Sequence, residues 1–317
     1  MFDRLRTVID CDPGIDDAMA LFFGLQAPEI DVVAITTVWG NVDVATTTAN
    51  ALRLLEIADR PEIPVAAGAA RPLVGPMPRL GEAIHGADGQ GNTNLPPPTL
   101  KPAAESAVDL LIRLAHVHPG ELTLVAIGPL TNIAMALIRD PAIARLYRKI
   151  VIMGGAFLHP GNVTRFGEAN VWHDPEAAQL VFEAGWPIVA VGLDVTHTVC
   201  LTQAVLDRLL ASGTPWGRHL YRITGLYLDA YASRWSKREC AMHDPLALAI
   251  AADPSLATLT PKVRVDIELQ GKHTRGMTVG DFRPRPNGAV APDANAEVVL
   301  KVDGERFLEW WMQVLGA

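Results

Sequence analysis

Cysteine is scarce in this chain of 317 residues: Cys11, Cys200 and Cys240 are the only three, and they stand far apart. An odd number at such spacing builds neither a disulfide framework nor a zinc-ligand pattern. Positive charge is also in deficit, with 27 Lys and Arg against 35 Asp and Glu, a net charge of −8. A polyanionic partner normally meets a basic face, so no nucleic-acid partner is expected. No apolar run is long enough to span a membrane, and the stretch before Asp10 is too short for the core of a secretion signal. The expectation is a protein of the reducing cytoplasm with no membrane partner. Internal repeats and clean linkers are missing too. What is present in quantity is apolar residue, 49% of the chain, enough for a sizeable core.

Apolar, β-rich runs alternate with amphipathic segments from the start. The strands expected are RTVID, VVAITTV, IPVAAG, LTLVAIG, KIVIMGG and PIVAVGLD. Helical patterns stand between them: PGIDDAMALFFGLQ, DVATTTANALRLLEIA, SAVDLLIRLAHVH, LTNIAMALIRD and PEAAQLVFEAG. Strands that are apolar throughout, each followed by a helix, imply an α/β fold. Its central sheet is open and mostly parallel, with helices on both faces. Near the C-terminus KVRVDIEL, GMTVGDF and AEVVLKV follow one another without a helix, so a short antiparallel extension is expected there. The whole chain, 1–317, reads as a single domain. Arg71–Pro102, rich in Gly, Pro and Asn, reads as a long lid-like loop, and Pro215–Trp235 as a helical region beside it. Trp310 and Trp311 read as core or as an oligomer contact.

The segment VIDCDPGIDDAMAL holds the strongest chemical signal. It sets Asp10, Asp12, Asp16 and Asp17 within eight residues at the C-terminal end of the first strand. Ligands of open α/β sheets bind at such strand ends. Asp10 and Asp12 share one side of the strand, while Asp16 and Asp17 fall in the first turn of the following helix. Four carboxylates this close repel one another unless a cation or protons intervene. An all-oxygen donor set without nearby cysteine suits a hard cation, calcium or magnesium. Helix capping in solvent is the plainer explanation for one or two of these aspartates, but not for all four on a buried strand end.

The string DCDPGIDD resembles the N-terminal signature of the inosine–uridine-type nucleoside hydrolases, and the resemblance runs along nearly the whole chain. TTVWGN ends a strand with Asn41; AIGPLTNIAMAL contains Ile127; IVIMGGAF contains Met153. GNVTRFGEANVWHDPEAA carries Asn162, Glu168 and Asn170, and AMHDPLAL carries His243 and Asp244. Each motif alone is modestly specific; their joint occurrence in this order is highly specific.

The resemblance implies calcium-dependent hydrolysis of the N-glycosidic bond of ribonucleosides, giving ribose and free base, in nucleoside salvage. It implies a Ca2+ ion held by Asp12, Asp17, Asp244 and the main-chain carbonyl of Ile127. Asp12 is then the general base for a metal-bound water, and Asp10 supports Asp12 or the metal loop from behind. Asp16, Asn41, Met153, Asn162, Glu168 and Asn170 would hold the ribose. His243 would assist the leaving base, since imidazole titrates near working pH. His85, in the lid-like loop, is a candidate base contact, as are Tyr227 and Tyr231, which share a helix face at i, i+4. Simpler roles stay open: turns for the asparagines, helix entry for His243, solvation for His85, packing for the tyrosines. The remaining histidines receive no role. The resemblance also implies a homodimer or homotetramer.

Two residues depart from the family pattern: Ala169 stands where well-known members carry Phe, and Gln90 where many carry Leu. The first bears on selectivity at the 5′ end of the sugar, the second on packing of the lid. Purine-selective members tend to stack the base between loop tryptophans. Arg71–Pro102 has none, which with His243 favours a tolerant or pyrimidine-preferring specificity. Two other function classes compete. VIDCDPG also resembles the strand-end Asp-x-Asp of haloacid-dehalogenase-type phosphatases, which use magnesium and an aspartyl nucleophile, here Asp10. A non-catalytic riboside-binding protein would need no water-activating set.

Overall fold

The computed structural model describes residues 4–317. The six expected strands form where the apolar runs lie: β1 (Leu5–Cys11), β2 (Ile30–Thr37), β3 (Val65–Ala67), β4 (Thr123–Ala126), β5 (Lys149–Met153) and β6 (Ile188–Val191). They join Ala296–Val298 and Lys262–Val263 in one eight-stranded sheet. Across it the order is Lys262–Val263, Ala296–Val298, β6, β5, β4, β1, β2, β3. Every neighbouring pair is parallel except the edge pair Lys262–Val263 with Ala296–Val298.

Side chains alternate across the pleat, and the core divides accordingly. Ile9, Ile35, Val125 and Val151 face a cluster with Met19, Phe22 and Leu248. Val8, Ala34, Leu124 and Ile150 face another, with Leu111, Ile133 and Phe182. The first face is covered by α1 (Ile15–Gln26) and the helix His243–Ala252, both apolar almost all round and buried accordingly. α2 (Val44–Ile57) also lies on that face, and its N-cap Asp43 accepts from the Ala45 and Thr46 amides. After the short helix α3 (Glu82–His85), the helices α4 (Ala107–Val117) and α5 (Thr131–Arg139) cover the other face. Trp311 is fully buried and its indole N–H donates to the Met19 carbonyl (3.3 Å), while Trp310 meets Phe23 edge-on. The tandem tryptophans therefore belong to the core.

β1 has β2 on one side and β4 on the other, because the chain winds outward through β3 and then crosses back. That reversal opens a crevice at the C-terminal ends of β1 and β4, the place where α/β sheets accept ligands.

The C-terminal runs form the expected short antiparallel extension, but divided among three places. KVRVDIEL splits into Lys262–Val263 and Val265–Ile267, and the second part pairs antiparallel with Thr278–Gly280. The split is held by Asn295, whose side chain accepts from the Val265 amide (2.7 Å) and donates to its carbonyl (2.9 Å). AEVVLKV does not pair with those runs alone. Its first part extends the main sheet parallel to β6, and its end, Lys301–Val302, pairs antiparallel with Ala257–Leu259.

Arg71–Pro102 contains only the turn-length α3, yet it is stitched down. Asp88 accepts from the amides of Gln90, Asn92 and Asn94 (2.8 Å each), and the Arg53 guanidinium donates to the Pro96 carbonyl (2.9 Å). The fully buried amide of Gln90 donates to the Gly14 carbonyl (2.8 Å) and meets His219 Nε2 (2.9 Å). His219 lies on the long helix Pro215–Trp235, so Gln90 ties three segments together. Among the described residues no helix is long and apolar enough to cross a membrane.

Candidate active site

The crevice leads into a cavity of about 860 Å³ lined by Asp12, Asp16, Asn41, His85, Ile127 and Met153, together with Asn162, Glu168, Asn170, Tyr227, Tyr231, His243 and Asp244. Asp10 and Asp17 lie beneath that lining and are fully buried.

The floor is built from β1 outward. Asp10 Oδ1 accepts from Thr36 Oγ1 (2.5 Å) and Asn132 Nδ2 (2.8 Å), which ties β1 to β2 and α5. Burial pushes its carboxyl up to about 7. Held this way behind the floor, Asp10 has no path to a substrate phosphate. The aspartyl-nucleophile alternative fails on that geometry.

Asp12 turns the other way. Its Oδ2 accepts from the Asn41 amide (2.7 Å). The Asn41 side chain donates to the Asp12 carbonyl and to Asp17 Oδ2, both 3.1 Å. Asp17 also accepts from the Asp12 amide (3.1 Å) and the Gly14 amide (2.9 Å), so it organises the loop that carries Asp12. Room for the Asp12 carboxylate depends on two glycines. A Cβ on Gly40 would come within 2.1 Å of Oδ2, and one on Gly128 within 2.7 Å of Oδ1.

The carboxylate oxygens of Asp16, Asp17 and Asp244 can lie within 4.8 Å of one another. Among the described residues Asp16 Oδ1, which is buried, has no hydrogen-bond partner. Burial, and then mutual repulsion, raises all of these groups: Asp16 to about 8, Asp17 to about 6, and Asp12 and Asp244 well above the ordinary range. The Asp17 shift is mainly burial, partly offset by the amides it accepts. Among the described residues no Lys or Arg forms an ion pair with any of them. The basic group facing Asp16 is His85, 3.8 Å away, and burial holds that imidazole down at about 3. Oxygen-only donors, an orphaned carboxylate oxygen and no protein cation fit a hard divalent ion. The tightest trio contains Asp16 rather than Asp12, while Asp12 borders the same space.

The residues expected around the sugar are brought together, though several are already engaged. Asn170 Nδ2 donates to the carbonyls of Ile127 (2.9 Å) and Met153 (3.1 Å). Glu168 caps the short helix Ala169–His173, accepting from the amides of Gly155 (2.9 Å), Asn170 (2.9 Å) and Val171 (3.1 Å). Asn162 Oδ1 accepts from the Ala169 amide (3.0 Å). These bonds pre-orient the wall, and among the described residues the Asn162 amide nitrogen has no partner.

At the other end, His243 is gripped at both ring nitrogens: Nε2 meets the Tyr231 hydroxyl (2.6 Å) and Nδ1 meets Thr196 Oγ1 (2.7 Å). Burial, then the neighbouring His197 and His85, pushes its pKa well below the ordinary histidine value. His85 is not a solvated loop residue. It is buried, its Nδ1 accepts from the Ile15 amide (3.1 Å), and its ring lies 5.2 Å from that of Tyr227. Tyr227, Tyr231 and Trp235 stack edge-to-face along one helix side, with centroids 4.9 and 4.5 Å apart.

Sequence reasoning missed several wall residues. His159, His173 and His197, given no role, all border the cavity, as do Trp172, Trp235, Arg79 and Arg234. Tryptophans do border the cavity, on the helices Ala169–His173 and Pro215–Trp235 rather than in Arg71–Pro102. His197 had a usable signal, since it follows β6 at the same strand-end level as the other site loops. Trp235 had another, lying at i+8 from Tyr227. Thr36, Asn132 and Thr196 had none.

A family model described as inosine-uridine preferring nucleoside hydrolase matches residues 7–309. The chain is 42% identical to an inosine-uridine preferring nucleoside hydrolase of Crithidia fasciculata, over 98% of this chain and 96% of that one. It is 40% identical to a probable uridine nucleosidase of Arabidopsis thaliana, over 97% and 98% respectively. Its fold superposes on the solved structure of a plant nucleoside hydrolase with TM-score 0.92 and 39% identity, covering 99% of each chain.

Proposed function

The chain belongs to the inosine–uridine preferring nucleoside hydrolase family and is an enzyme that hydrolyses the N-glycosidic bond of ribonucleosides. On that premise we propose that it works with calcium held by Asp12, Asp17, Asp244 and the Ile127 carbonyl, with Asp12 as general base and His243 assisting the leaving base. The observation that carries this reading is the cluster of buried carboxylates, lacking any protein cation, on the floor of the cavity.

When bound, calcium supplies positive charge that orients the sugar diol and acidifies water. Asp12 Oδ1 takes the proton of the attacking water, because Oδ2 is occupied by the Asn41 amide. Asp16, with its free oxygen, receives a ribose hydroxyl, joined by Asn41, Asn162, Glu168 and Asn170, with Met153 beneath the ring. Positive charge builds on the ribose as the bond to the base breaks. The surrounding carboxylate oxygens are already in place to stabilise that charge. His243 and Tyr231 supply hydrogen bonding to the departing base; His85 and Tyr227 wall its site.

We extend the reading to a base-tolerant enzyme that accepts pyrimidines, acting in nucleoside salvage in the cytoplasm as a homodimer or homotetramer. The Crithidia relative is named for both inosine and uridine, the Arabidopsis one for uridine.

Chelation tests the core of the proposal. Enzyme treated with a chelator should lose its activity on inosine and uridine and regain it with calcium better than with magnesium. Full turnover in a preparation shown metal-free by elemental analysis would contradict it. The same assay run across inosine, adenosine, uridine and cytidine reads the base preference, and light scattering reads the assembly.

A further inference from the structure

Thr196 ends the helical turn Leu193–Thr196 that follows β6, and it is fully buried. Among the described residues its hydroxyl has one hydrogen-bond partner, His243 Nδ1 at 2.7 Å. A buried hydroxyl hydrogen requires an acceptor. Nδ1 is the one within reach, so Thr196 donates and Nδ1 accepts. The ring proton of the neutral imidazole then sits on Nε2, because only one nitrogen carries it. Nε2–H points at the Tyr231 oxygen, 2.6 Å away. With that oxygen accepting, the hydroxyl hydrogen of Tyr231 is released toward the cavity that both side chains line.

We propose that Thr196 is a positioning residue that fixes the Nε2–H tautomer of His243 and thereby turns the Tyr231 hydroxyl hydrogen toward the departing base. The inference rests on the reading that His243 assists that base, and it deepens it. No proton leaves the enzyme in this arrangement. Thr196 sets the direction of two hydrogen bonds, and the neutral imidazole polarises the tyrosine. A threonine is well suited to this, since its hydroxyl is held by a stiff, β-branched side chain in a helical turn.

Two variants and two readouts test the proposal. Thr196→Val keeps the shape and removes the hydroxyl; Thr196→Ser keeps the hydroxyl. In 15N spectra of histidine-labelled protein, with the His243 signals identified by their loss in His243→Gln, the parent and Thr196→Ser should show the Nε2–H form. Thr196→Val should lose that preference. Turnover of uridine or inosine by Thr196→Val should fall about tenfold to a hundredfold, a fraction of what a positioned acid contributes. KM should stay near the parent value, and turnover of p-nitrophenyl riboside, whose leaving group needs no help, should change far less. An Nδ1–H tautomer in the parent, or an equal loss on both substrates in Thr196→Val, overturns the proposal. Failure of the underlying reading looks different. His243→Ala would then lose equally on both substrates, while the tautomer of the parent would still be read directly. If Thr196→Val does not fold, the spectra of the parent and of Thr196→Ser still decide.

Discussion

Asp12 stands where two demands meet. Its carboxylate is one of the oxygens offered to a cation, and it is also the group placed to take a proton from water. Asn41 and the two glycines hold it there without blocking Oδ1. Asp12→Asn keeps the size and loses both functions. Turnover should fall by roughly three orders of magnitude or more, within the range of a lost general base. Melting temperature in the chelated state should not fall, since burial and Asp17 push the Asp12 carboxyl well up and an amide stays neutral there without holding a proton. Near-parental turnover in the calcium-loaded variant would move the base to another residue. The sequence displayed Asp10, Asp12, Asp16 and Asp17 openly, because four carboxylates within eight residues at a strand end have few other uses; Asp244 came from the family resemblance alone. Thr36, Asn132 and Thr196 stayed hidden. Each acts through hydrogen bonds to residues 26 or more positions away, and a buried Thr or Asn looks the same in sequence whatever it touches.

The loop after β3 shows how an element can be misread for want of tertiary partners. Gly, Pro and Asn mark it as irregular, which it is. Its attachments come from Arg53, Asn50 and Glu56 on α2 and from Gln90 within it, and those long-range bonds leave no local trace. Gln90→Leu, the change toward the residue that the family resemblance implies here, takes one of two donors from the Gly14 carbonyl, which keeps the Ala18 amide, and removes the partner of His219 Nε2. It should cost roughly 1–3 kcal/mol, the usual penalty for buried groups left unsatisfied. It should also loosen the loop over the site. Denaturant unfolding measures the first effect and KM for uridine the second; no change in either would mean that water replaces the amide. Strands are easier to read from sequence than loops. β1 to β6 announce themselves by unbroken apolar runs, as buried parallel strands do. KVRVDIEL was harder, because its break at Arg264 depends on Asn295, thirty residues further on.

At the scale of the molecule, the parallel sheet concentrates acid at one end, and folding without a cation must accommodate it. Asp17, Asp10 and Asp16 titrate at about 6, 7 and 8 when folded, against 3.8 for an ordinary aspartate. The folded protein therefore holds protons that the unfolded chain has lost. That contribution is full below the unfolded value and fades as pH rises through 6 to 8. Buried histidines act oppositely on the acid side. His85, His173 and His197 are held at about 3, 4 and 4, so below 6.5 the unfolded chain gains protons that they refuse. The chelated protein should thus be most stable near pH 6, and its melting temperature should fall from pH 6.5 to 9. Calcium held by Asp12, Asp17 and Asp244 should remove most of that fall, since its charge would keep these carboxylates and the neighbouring Asp16 ionised. A flat melting temperature across the interval in chelator would show that the cluster is neutralised some other way. The same measurement bears on the expectation that 1–317 is one domain, for which we propose a single transition.

The ladder of Tyr227, Tyr231 and Trp235 gives the protein a built-in optical gauge. Of the seven tryptophans, only Trp172 and Trp235 border the cavity; the other five lie elsewhere in the fold. Trp235 also rests against the His197 ring, 5.0 Å away. A nucleobase entering beside it would share the excited state of that indole and quench its emission. Occupancy of the site can then be followed by intrinsic fluorescence alone, with no label and no turnover. Replacing Trp235 with Phe should leave a ligand-dependent change from Trp172 only, over the constant emission of the other five, so the pair of traces would report separately on the two walls as the nucleoside settles between them.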